Sequence, residues 1–278
     1  MKRIFSLFAS ALLAISAWAV ELQVSYEYVD LGLSVKWATC NLGATSSTDA
    51  GRYLAWGETS AKANYTWETY LSDLDGTMTQ WQDAGTDKDP LKDYVYGGSH
   101  SEGIGATAYD AATAALGAGY RMPTETEFAE LVNTDNCEWV WYDEDNTEFN
   151  GVAGYKVTSK KTGYTGNSIF LPAAGFRYGE DLYYEGSSGL YWSSTPLPGN
   201  AGNAYGLYFY SGYVGPSDSN SRYLGFPVRP VYDGPDTTPT AIDAVNADKP
   251  GKAIKTIENG RVVIIRDNKN FNLSGREL

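Results

Sequence analysis

From Val20 to about Tyr232 the chain alternates short apolar runs with stretches of glycine, serine and asparagine. Runs of this length, with a period of two, predict many short strands joined by long loops. In Leu207-Tyr208-Phe209-Tyr210 the alternation puts Leu207 and Phe209 on one sheet face and the two tyrosines on the other, so one face can pack while the other recognises. Asn150-Gly151 and Tyr178-Gly179 are turn dipeptides between such runs. Trp139 and Trp141 share one face of a strand, the ordinary pattern of packing; they and Trp56 are read as core residues rather than sugar-stacking platforms.

A helical period shows in only two places. Asp110 precedes the alanine-rich run 111–116, which stops before Gly117 and Gly119, and so predicts an Asp-capped helix. Thr124 and Glu127 have capping-box spacing, and Phe128, Leu131 and Val132 form the apolar face behind them. Two helices against many strands imply an α+β fold.

The ends follow different patterns. Lys2 and Arg3 precede an apolar stretch from Ile4 to Ile15, and Ala17-Trp18-Ala19 is a small-x-small cleavage pattern. Residues 1–19 are therefore expected to be a signal peptide, because the apolar stretch is shorter than the roughly 20 residues of a membrane-spanning helix. No cysteine at the cleavage point would carry a lipid anchor. Residues 233–252, with their Gly-Pro-Asp-Thr-Thr-Pro-Thr run, have the composition of a linker. In 253–278, two β-type runs flank Asn259-Gly260 and predict a short C-terminal β-hairpin tail, too small to be stable alone.

Composition narrows the function classes. With 34 acidic against 21 basic residues, a net charge of -13, and no basic stretch, the chain is not expected to bind nucleic acid or anionic membranes. Cys40 and Cys137 are the two cysteines, and export to an oxidising compartment predicts a disulfide between them, the alternative being two buried free thiols.

Gly119-Tyr120-Arg121-Met122-Pro123-Thr124-Glu125-Thr126-Glu127-Phe128 resembles the signature of formylglycine-generating-enzyme-like domains, which have a C-type-lectin-like fold. Five further motifs narrow the likeness: 28–33, 37–41, 54–58, 171–175 and 191–194, with Gly225-Phe226-Pro227-Val228-Arg229-Pro230 closing the series. Together they resemble the Fibrobacter succinogenes major paralogous domain, widespread in exported proteins of Bacteroidales, over about residues 26–232. The segment from Glu258 to Gly275 is similar to short tails of such proteins, abbreviated against a full type IX sorting domain.

Candidate chemistry is sparse. The enzymes of the formylglycine-generating family use copper and a late pair of cysteines, and this chain has none after Cys137. His100, the single histidine, lies in a Gly/Ser-rich loop, a poor place to hold a general base or a zinc ion. The calcium-binding Glu-Pro-Asn or Gln-Pro-Asp loop of sugar-binding C-type lectins is absent, and Asp143-Glu144-Asp145-Asn146 lacks EF-hand spacing. No catalytic residue, metal ligand or cofactor is therefore expected.

The stretch from Tyr191 to Tyr223 has the composition of a paratope: tyrosine for large amphipathic contact, and Ser, Asn and Gly for adaptable hydrogen bonding. The expected ligand-binding residues are Tyr191, Asn200, Asn203, Tyr205, Tyr208, Tyr210, Tyr213, Asp218, Asn220 and Tyr223. The resemblance implies the same location, because C-type-lectin-like proteins diversified by retroelements carry their variable residues in this last stretch. The expectation is an exported, non-catalytic protein of the secreted or cell-surface space, binding an extracellular protein or glycan, with a retroelement-diversified receptor as one form of it. The alternative is a structural or tip subunit of a cell-surface appendage, attached through its tail.

Overall fold

In the computed structural model, residues 27–72, 78–234, 254–258, 261–266 and 269–271 are described. The expected signal peptide, residues 1–19, and nearly all of the expected linker lie outside them. The chain divides into two compact units, 1–234 and 235–278. Among the described residues no helix is long and apolar enough to cross a membrane.

The described residues of the first unit are α+β, with small antiparallel sheets and two α-helices. Strands β1 (Tyr28–Val29), β2 (Lys36–Ala38), β3 (Tyr120–Arg121) and β12 (Val231–Tyr232) form one sheet in the order β1-β2-β12-β3, which brings the beginning and end of the unit together. Strands β4 (Cys137–Tyr142), β5 (Gly154–Ser159) and β6 (Ser168–Pro172) form a meander. The short hairpin of β7 (Phe176–Tyr178) and β8 (Asp181–Tyr183) turns at Gly179, whose φ of 59° glycine adopts without strain. Strands β9 (Ser188–Pro196), β10 (Asn203–Tyr210) and β11 (Tyr213–Ser221) form the remaining sheet, with β10 central.

Both helices are capped by the residues that announce them. Asp110 accepts the N–H groups of Ala112 and Thr113 at 2.9 and 3.0 Å and so starts α1 (Ala111–Leu116). Asp110 also accepts the N–H of Met122 at 2.9 Å, tying α1 to β3; burial pushes its carboxyl pKa up against these donors. Thr124 and Glu127 close a capping box at the start of α2 (Glu125–Val132), with bonds of 3.2 and 2.7 Å, and Phe128 and Leu131 are buried behind it.

The β9-β10-β11 sheet separates two cores. Leu190, Trp192 and Ala204 join one, with Trp56, Tyr65, Tyr70 and Phe226; Tyr191, Leu207 and Phe209 join the other, with Trp37, Phe128, Cys137 and Val157. Trp139 and Trp141 pack on the second core, each ring edge-on to Tyr155, and Trp56 is fully buried. Two buried arginines bind the layers. Arg229 donates to Asn41 Oδ1, Ala38 O and Phe170 O at 2.8, 3.0 and 2.7 Å, which gives the closing Gly-Phe-Pro-Val-Arg segment a structural task. Arg222 pairs with Asp89 at 2.6 Å, both fully buried, and lies over the rings of Trp56 and Tyr70.

The expected disulfide is not formed: Cys40 and Cys137 are free thiols. Cys137 opens β4 and sits inside the second core, whereas Cys40 follows β2, a strand of another sheet, and its Sγ points to Ala44 O at 3.6 Å. Burial pushes the Cys137 thiol up to about 11, leaving it an inert core side chain.

In the second unit, β13 (Ile254–Glu258) and β14 (Arg261–Arg266) pair antiparallel with Glu258 opposite Arg261, as the Asn-Gly turn predicts. A third strand, β15 (Lys269–Phe271), pairs with β14 and turns the expected hairpin into a meander.

Candidate functional site

The expected binding residues lie along the β9-β10-β11 sheet, but they do not form one face. Tyr191 is fully buried: its hydroxyl donates to Pro172 O at 2.7 Å and accepts from Asn41 at 3.3 Å, and burial pushes its pKa up to about 12. As a core residue it cannot meet a ligand. The expected division of the sheet into a packing face and a recognising face also needs correction, because both faces of β9 and β10 are packed. Leu207 and Phe209 do point away from Tyr208 and Tyr210, yet Tyr208 itself packs against the first core. Tyr205, Asp218 and Asn220 are half-buried between the ends, with Asp218 accepting a bond from Asn220 at 2.6 Å.

The other residues separate to the two ends of the β10–β11 ribbon. At the hairpin end Tyr210 is paired with Tyr213 across Ser211-Gly212, and their exposed rings stack 5.3 Å apart. Gly212 takes a φ of 91°, which permits the tight turn. Tyr208 lies 5.7 and 6.0 Å from the two rings. From beneath, the Tyr155 hydroxyl donates to Tyr210 O at 3.3 Å and accepts from Gly212 N at 3.1 Å. The result is an aromatic knob at the turn.

At the opposite end Asn203 pairs with Ser221, and the ribbon borders a cleft of about 350 Å³ lined by Trp67, Trp81, Asn200, Gly202, Asn203, Ser221 and Tyr223. Trp67 and Trp81 each open a single-turn 3-10 helix, Trp67–Thr69 and Trp81–Asp83. Trp67 stands edge-on to buried Tyr70 at 5.4 Å and faces Tyr223 at 5.0 Å, while Trp81 is 59% exposed. The β7–β8 hairpin is held alongside by backbone bonds between Tyr65 and Gly179 and between Arg177 and Gly225. That places exposed Tyr178 at 6.1 Å from Tyr223, and exposed Tyr183 at 6.3 Å from Tyr178. Burial, then Tyr178 and Glu68, raise the Tyr223 pKa above the usual phenol value, so it is protonated at neutral pH.

Sequence reasoning missed Trp67 and Trp81. Both lie in polar surroundings, Tyr65-Thr66-Trp67-Glu68-Thr69 and Thr79-Gln80-Trp81-Gln82, with no alternation to bury them. A large aromatic without an apolar period is the signal that could have found them.

Elsewhere, a wider depression of about 560 Å³ is lined by Arg52, Tyr53, Lys62, Tyr65 and Arg177, among others. Its chemistry is mostly engaged: Tyr53 donates to Ala174 O at 2.6 Å, Tyr65 to Tyr53 O at 2.5 Å, and Lys62 pairs with Glu58 at 2.8 Å. His100 is exposed, stacked on Tyr94 and 3.4 Å from Glu102. The Asp143–Asn146 turn spends its oxygens on its own backbone, with Asp145 N and Phe149 N held by the Asp143 and Asn146 side chains. Among the described residues no three His, Cys, Asp or Glu side chains are gathered for a metal ion.

A family model described as a domain of unknown function (DUF8237) matches residues 156–231, the span from β5 into β12 that contains both ends of the ribbon. No curated protein and no solved structure matches the chain.

Proposed function

We propose that this chain is an exported, non-catalytic binding protein with a C-type-lectin-like domain, which takes an extracellular protein or glycan at the ends of the β10–β11 ribbon. The observation that carries this reading is the gathering of aromatic rings with neutral hydrogen-bonding side chains: exposed Trp81 and Tyr178 and half-buried Tyr223 beside Asn200 and Asn203. Exposed aromatic clusters of this kind are the usual anchors of recognition, since they release water from large rigid surfaces at low entropy cost. The ordered motifs of the major paralogous domain support the fold and the exported setting, and the retroelement-diversified form of the reading would need a template repeat beside the gene.

The test is a binding screen of the full chain against glycans and extracellular surface proteins. A specific partner whose binding falls when Trp81, Tyr210, Tyr213 and Tyr223 are replaced by alanine, with the circular dichroism unchanged, supports the reading. Absence of any partner overturns it. A second reading, an appendage subunit attached through its tail, is favoured by the separate three-stranded unit of residues 254–271. Under it, deletion of 253–278 abolishes assembly and the aromatic substitutions do not.

A further inference from the structure

Resting on that reading, we propose that the cleft between Trp67, Trp81 and Tyr223 holds a stretch of neutral glycan chain, with sugar rings stacked on the aromatic faces and hydroxyls bonded to Asn200, Asn203 and Ser221. The first ground is the lining itself. Its side chains are indoles, a phenol, primary amides and a hydroxyl, and none is charged, in a protein whose net charge is -13. Such a surface repels anionic chains through the summed field. A volume of about 350 Å³ lies in the range of small-ligand sites, which combine mostly apolar walls with a few polar groups.

The second ground is what the polar groups are doing. Elsewhere the tryptophan N–H groups of Trp56, Trp139 and Trp192 donate to main-chain carbonyls at 2.9 to 3.0 Å. In the cleft, Trp67 Nε1, Trp81 Nε1, the Asn203 amide, Ser221 Oγ and the Tyr223 hydroxyl have no hydrogen-bond partner among the described residues, and unlike Trp37 Nε1, which is buried without one, they stand open to solvent. Asn200 uses only its Oδ1, accepting Gly202 N at 2.9 Å, which fixes the amide and leaves its N–H₂ to a ligand. The cleft therefore presents donors and acceptors together. A hydroxyl-rich ligand answers both at once, whereas a proline-rich peptide, the other common guest of tryptophan and tyrosine grooves, lacks N–H groups at its prolines.

The third ground is support and extent. Main-chain bonds from Leu197 to Asn203, Asn203 to Asn200 and Arg222 to Gly202 hold the amide-bearing turn, and Trp67 rests on buried Tyr70. A preformed wall saves the ordering cost of binding. Beyond Tyr223, the rings of Tyr178 and Tyr183 continue the aromatic track, so the occupant is a chain rather than a single sugar.

The experiment is affinity electrophoresis of the full chain in native gels containing laminarin, xyloglucan or galactomannan, with polygalacturonate as the anionic control and soluble polyproline as a competitor. Retardation by at least one neutral polysaccharide is expected, and Trp81→Ala and Asn203→Ala should each weaken it about tenfold or more, the effect of losing one anchor of a site. Trp81→Phe, which keeps a ring, should restore part of it. Unchanged thermal midpoints show that the variants fold. Retardation by none of the neutral polysaccharides, displacement by polyproline, or binding that survives both substitutions overturns the assignment. If glycan binding is instead lost in Tyr210→Ala/Tyr213→Ala, or the screen yields only a protein partner, this inference fails while the binding reading stands; if nothing binds, both fail.

Discussion

At one end of the β10–β11 ribbon Tyr210 faces Tyr213 across a two-residue turn; at the other Asn203 faces Ser221 and borders the cleft under Trp67 and Trp81. Both ends present aromatic rings, but their surroundings differ. The hairpin tyrosines find their neighbours in each other, and the Tyr155 hydroxyl satisfies the turn from below. At the cleft end, residues from distant loops supply walls around Asn200, Asn203 and Ser221. A walled cleft, rather than tyrosine content, separates a candidate site from an exposed turn.

The cleft end rests on a buried charge, and the largest effect should come from removing its partner. Asp89→Ala leaves the Arg222 guanidinium fully buried without its carboxylate, against the Tyr70 ring on which Trp67 rests, and also strips the acceptor of Gly85 N and Leu91 N. A loss of about 3–5 kcal/mol is expected in urea denaturation, the usual cost of breaking a buried pair from one side. Wild-type stability in this variant would show that the cleft is not held from beneath.

The second core, under the hairpin end, carries its own pH signature. Cys137 has a pKa of about 11 in the folded chain against 9.0 when exposed. Between these values the unfolded chain loses the proton first, so the unfolded state is favoured as pH rises. The stability from this thiol is complete below pH 9 and lost progressively towards pH 11. Urea midpoints measured across that window should fall, and Cys137→Ala should flatten the slope. Tyr155→Phe comes next in size: it removes the hydroxyl that bridges Tyr210 O and Gly212 N and should cost about 1 kcal/mol, with polysaccharide binding unchanged.

Local signals carried much of the fold. The Asp110 cap, the Thr124 and Glu127 capping box, the turn at Gly179, the pairing of Glu258 with Arg261, and the opposite faces of Leu207 and Tyr208 all follow from neighbours within a few positions. Tyr191 shows where that range ends. Leu190-Tyr191-Trp192 is a continuous apolar run, the pattern of a strand covered on both faces, and β9 indeed sends Tyr191 to one core and Leu190 and Trp192 to the other. Composition alone placed Tyr191 on the surface. The cleft was harder still, because Trp67 meets Tyr223 only through the pairing of Tyr65 with Gly179 and of Arg177 with Gly225, contacts far apart in sequence. The same distance defeats the disulfide, for loop entropy rewards a cross-link only where the fold brings the two sulfurs together.

The smallest expected effect tests the comparison most directly. Tyr210→Ala with Tyr213→Ala removes a stacked cross-strand pair whose rings are 43 and 47% exposed, and such pairs contribute about 0.5–1 kcal/mol. The turn itself should persist, because Gly212 and the Tyr155 hydroxyl still define it. Urea denaturation should therefore move little, and retardation by neutral polysaccharides should not move at all, since no atom of the pair lines the cleft. A large loss of stability would mean that the knob is a structural clamp for the ribbon. A loss of polysaccharide binding with stability intact would move the site to the hairpin and reverse the contrast between the two ends.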